Sequence, residues 1–195
     1  MKMYSKFVLA FVVLLFTACA GTSKTGETTE NKSMEAEEPN TSQAEEIQPC
    51  MLLTQDDIES VLGWNNAPEG TPEVFVVENV QTQATCTYEW DDRIIYFSVT
   101  DRYTAKAGMD MFEAGIAVLE KGVTAKKDGA EFTAKGTFER VSGVGDGAAW
   151  LEKRRYFVFV KGSRVYDFTL DLYQEEGKPS MEDAKALAQK IIAKL

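Results

Sequence analysis

The chain has 195 residues, with 21 basic and 31 acidic side chains, three cysteines and no histidine. A net charge of -10 argues against nucleic-acid binding, which needs a basic stripe to neutralise phosphates. Without histidine there is no Ser-His-Asp or Cys-His nucleophile system, no His-ligated zinc and no His general base, yet 44% hydrophobic residues suffice to bury one core.

Lys2 and Lys6 precede an apolar stretch from Phe7 to Phe16. A basic start, a short apolar run and small residues before a cleavage point make a secretory signal over 1–18. The run is too short to cross a bilayer as a helix, which takes about 20 residues. Thr17-Ala18-Cys19, with Leu15 upstream, resembles the bacterial lipobox, although Phe16 stands where an aliphatic is usual. The resemblance implies that Cys19 becomes the lipidated, palmitate-bearing first residue of the mature chain. Ala20 takes the place of an aspartate that resembles an inner-membrane retention signal. The expected location is therefore the outer membrane, facing the periplasm or the cell surface.

Residues 19–49 are rich in Gly, Ser, Thr, Asn and Glu, with Met34 and Ile47 among the few apolar side chains. Such a segment buries too little surface to offset chain entropy, so it reads as an acidic, disordered tether. A single globular domain is expected over 50–195. Its Cys50 and Cys86 form an even pair in an exported chain, and oxidising compartments favour a bridge. Cys86, Tyr88 and Trp90 alternate with Thr85, Thr87 and Glu89, which places the cysteine on one face of a strand. The alternative is a redox dithiol, but the spacing is not Cys-x-x-Cys.

The first helix begins after Thr54, which can cap it, with Asp56 and Asp57 in its first turn and Gly63 at its stop. Strands are expected near 73–80, 84–90 and 93–100, with Asp91-Asp92 as a hairpin turn. A second helix runs from about Thr104 to Glu120, with Met109, Phe112, Ile116 and Leu119 at helical spacing. Residues 121–140 are polar and poorly patterned, with room for one short strand. Strand signals return near 148–152, 155–161 and 164–173, with Gly162-Ser163 as a two-residue turn. Tyr166, Phe168, Leu170 and Leu172 point one way, and Val165, Asp167, Thr169 and Asp171 point the other. Ser180 and Asp183 open a last helix whose stripe is Ala184, Leu187, Ala188, Ile191 and Leu195. The expected class is α+β, a mainly antiparallel sheet of about six strands covered by three amphipathic helices. The two strand sets, each followed by a helix, hint at a pseudo-duplicated plan.

Four segments carry a resemblance: Pro49-Cys50-Met51-Leu52-Leu53-Thr54, Val61-Leu62-Gly63, Cys86-Thr87-Tyr88-Glu89-Trp90 and Gly143-Val144-Gly145-Asp146-Gly147-Ala148. In this order they resemble a family of bacterial cell-envelope lipoproteins of unknown function. The resemblance covers 49–195 loosely. It implies a Cys50–Cys86 disulfide and an exported location, and it brings no catalytic residue.

Four places are candidates for chemistry. The glycine-rich run around Gly145 and Asp146 precedes a strand instead of opening a helix, so it lacks the anion site of a phosphate loop. Asp146 stands alone, short of the several oxygen donors a calcium loop takes. It reads as a tight connection, with a ligand or partner contact as its functional alternative. Lys153, Arg154 and Arg155 fall in a turn and suit solubility, or contact with an anionic envelope polymer. Trp64 follows a helix stop and either covers the core edge or stacks on a ligand. Asp167 and Asp171 read as a solvated strand face, with acid–base hydrolysis as the alternative. No metal or cofactor is expected. The favoured reading is a non-catalytic lipoprotein that is held in the membrane through Cys19 and binds an envelope protein or a small ligand. Its alternatives are a small carboxylate-dependent hydrolase and a carrier of lipid or another apolar ligand.

Overall fold

The computed structural model describes residues 47–77, 81–90, 92–127, 130–172 and 177–195. The signal, Cys19 and the tether up to residue 46 lie outside the described residues, as does Asp91 of the expected Asp91-Asp92 turn. Residues Glu46–Leu195 form one compact unit.

Its elements in chain order are helices α1 (Pro49–Leu52) and α2 (Gln55–Leu62), strands β1 (Thr71–Val77), β2 (Gln81–Glu89) and β3 (Arg93–Asp101), and helix α3 (Ala105–Lys121). Strands β4 (Val123–Lys127), β5 (Ala130–Ala134), β6 (Glu139–Arg140) and β7 (Gly147–Leu151) follow. A 3-10 turn (Glu152–Arg154), β8 (Tyr156–Lys161), β9 (Arg164–Leu172) and α4 (Met181–Ile192) complete the series. The class is α+β. Seven strands form one antiparallel sheet in the order β1-β2-β3-β9-β8-β7-β6, and β4 and β5 make a separate hairpin.

The differences from expectation have simple causes. The sheet has one strand more than six because β6 is a two-residue strand, Glu139–Arg140, too short and polar to show an alternation. The β4–β5 hairpin fills the stretch expected to hold at most one short strand, because its two five-residue strands, VTAKK and AEFTA, are short and rich in Ala, Lys and Glu, which are poor strand formers. The fourth helix is the single turn α1, which places Pro at its first position, where a missing amide costs nothing. Leu195, expected in the last helix's stripe, lies beyond the end of α4 and is exposed.

Local signals decide the other boundaries. Thr54 and Asp57 form a reciprocal capping box at the start of α2, and Gly63 closes it in the left-handed conformation at φ 66°. Ser180 and Asp183 form the same box on α4. The β8–β9 register pairs Lys161 with Arg164, leaving Gly162 and Ser163 as the turn.

The sheet has two differently built faces. On the first, Cys86, Tyr88, Ile95, Phe97, Tyr166, Phe168, Phe157, Phe159 and Trp150 pack beneath α2 and α4 in the main core. The aromatic rings stack closely here, Phe159 on Tyr166 at 4.7 Å and Phe157 on Phe168 at 5.4 Å. Ile47 and Pro49, read as the end of the tether, are buried in this unit. On the second face a smaller cluster joins Phe112 and Ile116 of α3 to Ala149, Leu151, Val158, Val160 and Val165.

This placement limits the duplicated plan. The β1–β3 and β7–β9 sets lie side by side through the β3–β9 pair. The helices that follow them pack on opposite faces, so the dyad that would relate the strands does not relate α3 to α4.

Candidate functional site

The second face carries the chemistry. The strand registers place Glu73, Thr85, Ser98, Asp167 and Val158 in one row across β1, β2, β3, β9 and β8. The next row runs Thr71, Thr87, Tyr96, Thr169 and Tyr156. Helix α3 packs on the apolar side of this face, over β7 and β8. Polar side chains occupy the remainder, toward β2 and β3.

Asp167 is the centre of the row, and it corrects the reading of a solvated strand face. It is half-buried. The alternation along β9 is present, but its polar side is not the solvent side, because α3 covers part of the second face as well. Burial pushes the Asp167 carboxyl up to about 7, against a hydrogen bond from Ser98 that favours the ionised form. Ser98 is itself buried and accepts a bond from Gln83 Nε2 at 3.0 Å. The Tyr156 phenol is pushed well above its ordinary value, first by burial and then by the Asp167 charge.

A single carboxyl near neutrality can exchange a proton, but glycoside-type hydrolysis pairs two. Asp171 lies four residues along the same strand, so its Cα is about 13 Å away at the usual strand rise. The Asp171 side chain is outside the described residues. Among the described residues no group of His, Cys, Asp and Glu is arranged to hold a metal ion.

The other sequence candidates are held in structural contacts. Trp64 is buried at the core edge, with Trp90 edge-on at 5.7 Å and the Arg93 guanidinium 4.9 Å above its ring. Trp90 donates from its indole to the Asn66 carbonyl at 3.2 Å, which ties the loop after α2 to the end of β2. Asp146 accepts from the Gly162 amide at 2.8 Å and from Lys161 Nζ at 2.9 Å, clasping the β8–β9 turn. Those two bonds hold its carboxyl below the ordinary carboxylate value. Gly145, at φ 54°, brings its backbone against β8, and a Cβ there would lie 2.3 Å from the Val160 carbonyl oxygen. Lys153 and Arg154 are exposed on the 3-10 turn. Arg155 differs from them: it sits at φ 47° and donates from Nε to the Leu170 carbonyl at 2.7 Å. The structure therefore scatters these six residues over three places and does not bring them together.

Cys50 and Cys86 are joined, with their Cα atoms 5.3 Å apart. The bridge ties α1 to β2 and closes a loop of 36 residues, worth about 3–4 kcal/mol on the chain-entropy account. Such bridges persist in oxidising, exported settings.

One surface has only a weak signal in the sequence. Strand β1 is an edge of the sheet, and its Val74, Phe75 and Val76 are 53%, 46% and 64% exposed. The available signal was the run Val74-Phe75-Val76-Val77, four apolar residues with no interrupting charge.

No known protein-family model matches the chain, and no curated protein matches it in sequence. In structure it is similar to the extracellular domain of PknH from Mycobacterium tuberculosis, at 15% identity and a TM-score of 0.47. That likeness covers 74% of this chain and 92% of the other.

Proposed function

We propose that this chain is an exported lipoprotein of the cell envelope, anchored through Cys19, whose domain acts by binding a partner and not by catalysis. The observation that carries the reading is the division of labour among its side chains. Asp57, Asp101, Asp146 and Arg155 are committed to clasping the fold, while among the described residues Val74, Phe75 and Val76 form a run of three consecutive exposed apolar side chains on the β1 edge. A stapled sheet with an open edge is a presenting scaffold. The lipobox resemblance, the polar tether and the disulfide support export and anchoring, and Ala20 supports the outer membrane. Two or more acyl chains make such attachment stable, since each buried methylene contributes about 0.8 kcal/mol.

The test places a photo-crosslinking side chain at Val76 of the lipidated protein in intact cells. A discrete protein adduct is expected, and Cys19→Ala should move the protein out of the membrane fraction. Undiminished membrane association of Cys19→Ala would overturn the anchor. Hydrolysis of an ester or glycoside by the purified protein, lost in Asp167→Asn, would overturn binding in favour of catalysis.

A further inference from the structure

We propose that β1 is a strand-addition site, and that its occupant is an extended segment of another protein in which apolar residues alternate with lysine or arginine. This deepens the binding reading above and rests on it.

The two edges of the sheet are built differently. At the far end, β6 is two residues long and both, Glu139 and Arg140, are charged, which blunts it against further pairing. Strand β1 has seven residues and, among the described residues, pairs only with β2. A seven-residue strand offers about 23 Å of edge. Its apolar side chains are exposed on both faces, since Val74 and Val76 share the side of Pro72 while Phe75 points the other way.

Proline shows which backbone groups are free. Within a sheet, proline takes a position whose missing amide would have pointed away from the neighbouring strand. Pro72 lies opposite Cys86, so residues of its parity direct their amides and carbonyls outward. Among the described residues Val74 and Val76 therefore present an unpaired backbone ladder, flanked by apolar side chains that grip alternate residues of an added strand.

Charge selects the occupant. From Cys50 to Asp92 there are nine acidic side chains and no basic one. Glu69 and Glu73 are exposed beside the open ladder. The basic groups close by are engaged: Arg93 pairs with Asp92 and covers Trp64, and Arg102 donates to Gln81 at 2.8 Å. A second copy would bring two acidic edges together, which like-charge repulsion disfavours. The chain's own segment 20–46 carries seven glutamates against two lysines and is disfavoured on the same ground. A basic, apolar-alternating segment matches both the ladder and the field.

The experiment uses the full Cys19→Ala chain and a synthetic seven-residue peptide alternating valine with lysine, with a valine–glutamate peptide as its counterpart. The lysine peptide should bind saturably and slow amide exchange at Val74 and Val76, while the glutamate peptide binds at least tenfold more weakly. Val76→Pro removes an outward amide without a β2 bond and should weaken binding at least tenfold. Val76→Lys, which keeps the amide and adds a repelling charge, should do the same and covers the case in which the proline variant does not fold. Equal binding of the two peptides, or binding unchanged in both variants, would overturn the proposal. So would self-association of the chain at micromolar concentration that Val76→Lys abolishes, which would make a second copy the occupant. Failure of the peptide alongside a cellular adduct at Val76 would overturn strand addition and leave the binding module standing. Failure of both would overturn both readings.

Discussion

Lys194, just past the end of α4, donates to the carboxylate of Asp57, 137 residues earlier in α2. Asp57 is buried and already accepts from the Thr54 amide at 3.0 Å and the Thr54 hydroxyl at 2.8 Å, so one carboxylate caps α2 and also fastens the residues just past α4 to it. Lys190 adds a second cation at 3.6 Å, and Lys194 also reaches the Leu52 carbonyl at 3.1 Å. Burial alone would raise the Asp57 carboxyl; the Lys194 bond, the Thr54 bonds and the Lys194 charge outweigh it and hold the group below its ordinary value.

Replacing Asp57 with alanine removes the cap and leaves Lys194 without its carboxylate. Asp57→Ala should cost about 2–4 kcal/mol, read from the midpoint of urea unfolding. Because the folded-state value is lowered, this contribution is complete above the ordinary carboxylate range near pH 4 and is lost as pH falls through the folded value. A Lys194→Ala cycle should show coupling with Asp57 at pH 7 and none at the acid end. Additive effects at pH 7 would contradict the clasp.

Asp167 has the opposite sign. Its folded value is raised to about 7, so between roughly pH 4 and 7 the folded state holds a proton that the unfolded chain has released. Stability from this group therefore falls as pH rises through that window. Asp167→Asn, which has no charge to bury, should be more stable than the parent at pH 8 by about 2 kcal/mol, about half of what the full shift corresponds to because the half-exposed carboxylate keeps part of its hydration, with the gain shrinking toward pH 5. Thermal melts of both proteins across that range check it; a pH-independent difference would refute the shift.

Gly70 runs against the disulfide. A Cβ there would lie 2.3 Å from Cys86 Sγ and 2.8 Å from the Tyr88 ring, whose hydroxyl donates to the Leu53 carbonyl. Both neighbours are packed in the core, so neither can give way cheaply. Gly70→Ala should cost about 1–3 kcal/mol by overpacking, measured by urea unfolding. Gly63→Ala, where no atom lies within 4 Å but φ is positive, separates backbone strain from crowding.

The bridge itself gives a chemical test. Thiol titration of the denatured, unreduced Cys19→Ala chain should find no free thiol. Cys50→Ser with Cys86→Ser should lower stability by about 2–5 kcal/mol. Two titratable thiols would show that the pair is reduced.

Much of this fold is legible in the sequence because its signals are local. The boxes at Thr54–Asp57 and Ser180–Asp183 need only the next turn of chain to form. The alternation in β9 and the Gly162-Ser163 turn likewise depend on near neighbours. Residues 121–140 show room for only one short strand, because the two five-residue strands of the β4–β5 hairpin are rich in Ala, Lys and Glu and carry little strand propensity. Arg155 was grouped with Lys153 and Arg154 as a solvated cation, and only the β8–β9 pairing shows its guanidinium bonded to Leu170.

The sequence by itself determined an acidic, histidine-free chain whose domain is built of alternating strands and capped helices, because these signals are compositional or local. The tertiary structure decided what each side chain is for. Alternation states which residues share a face, but not whether that face meets water, since that depends on where α3 lands; hence Asp167 changed from a solvated acid to a half-buried one near neutrality. Strand propensity likewise cannot say which strand ends the sheet. Only strand order, set by long-range pairing of β3 with β9, leaves Val74, Phe75 and Val76 at an open edge.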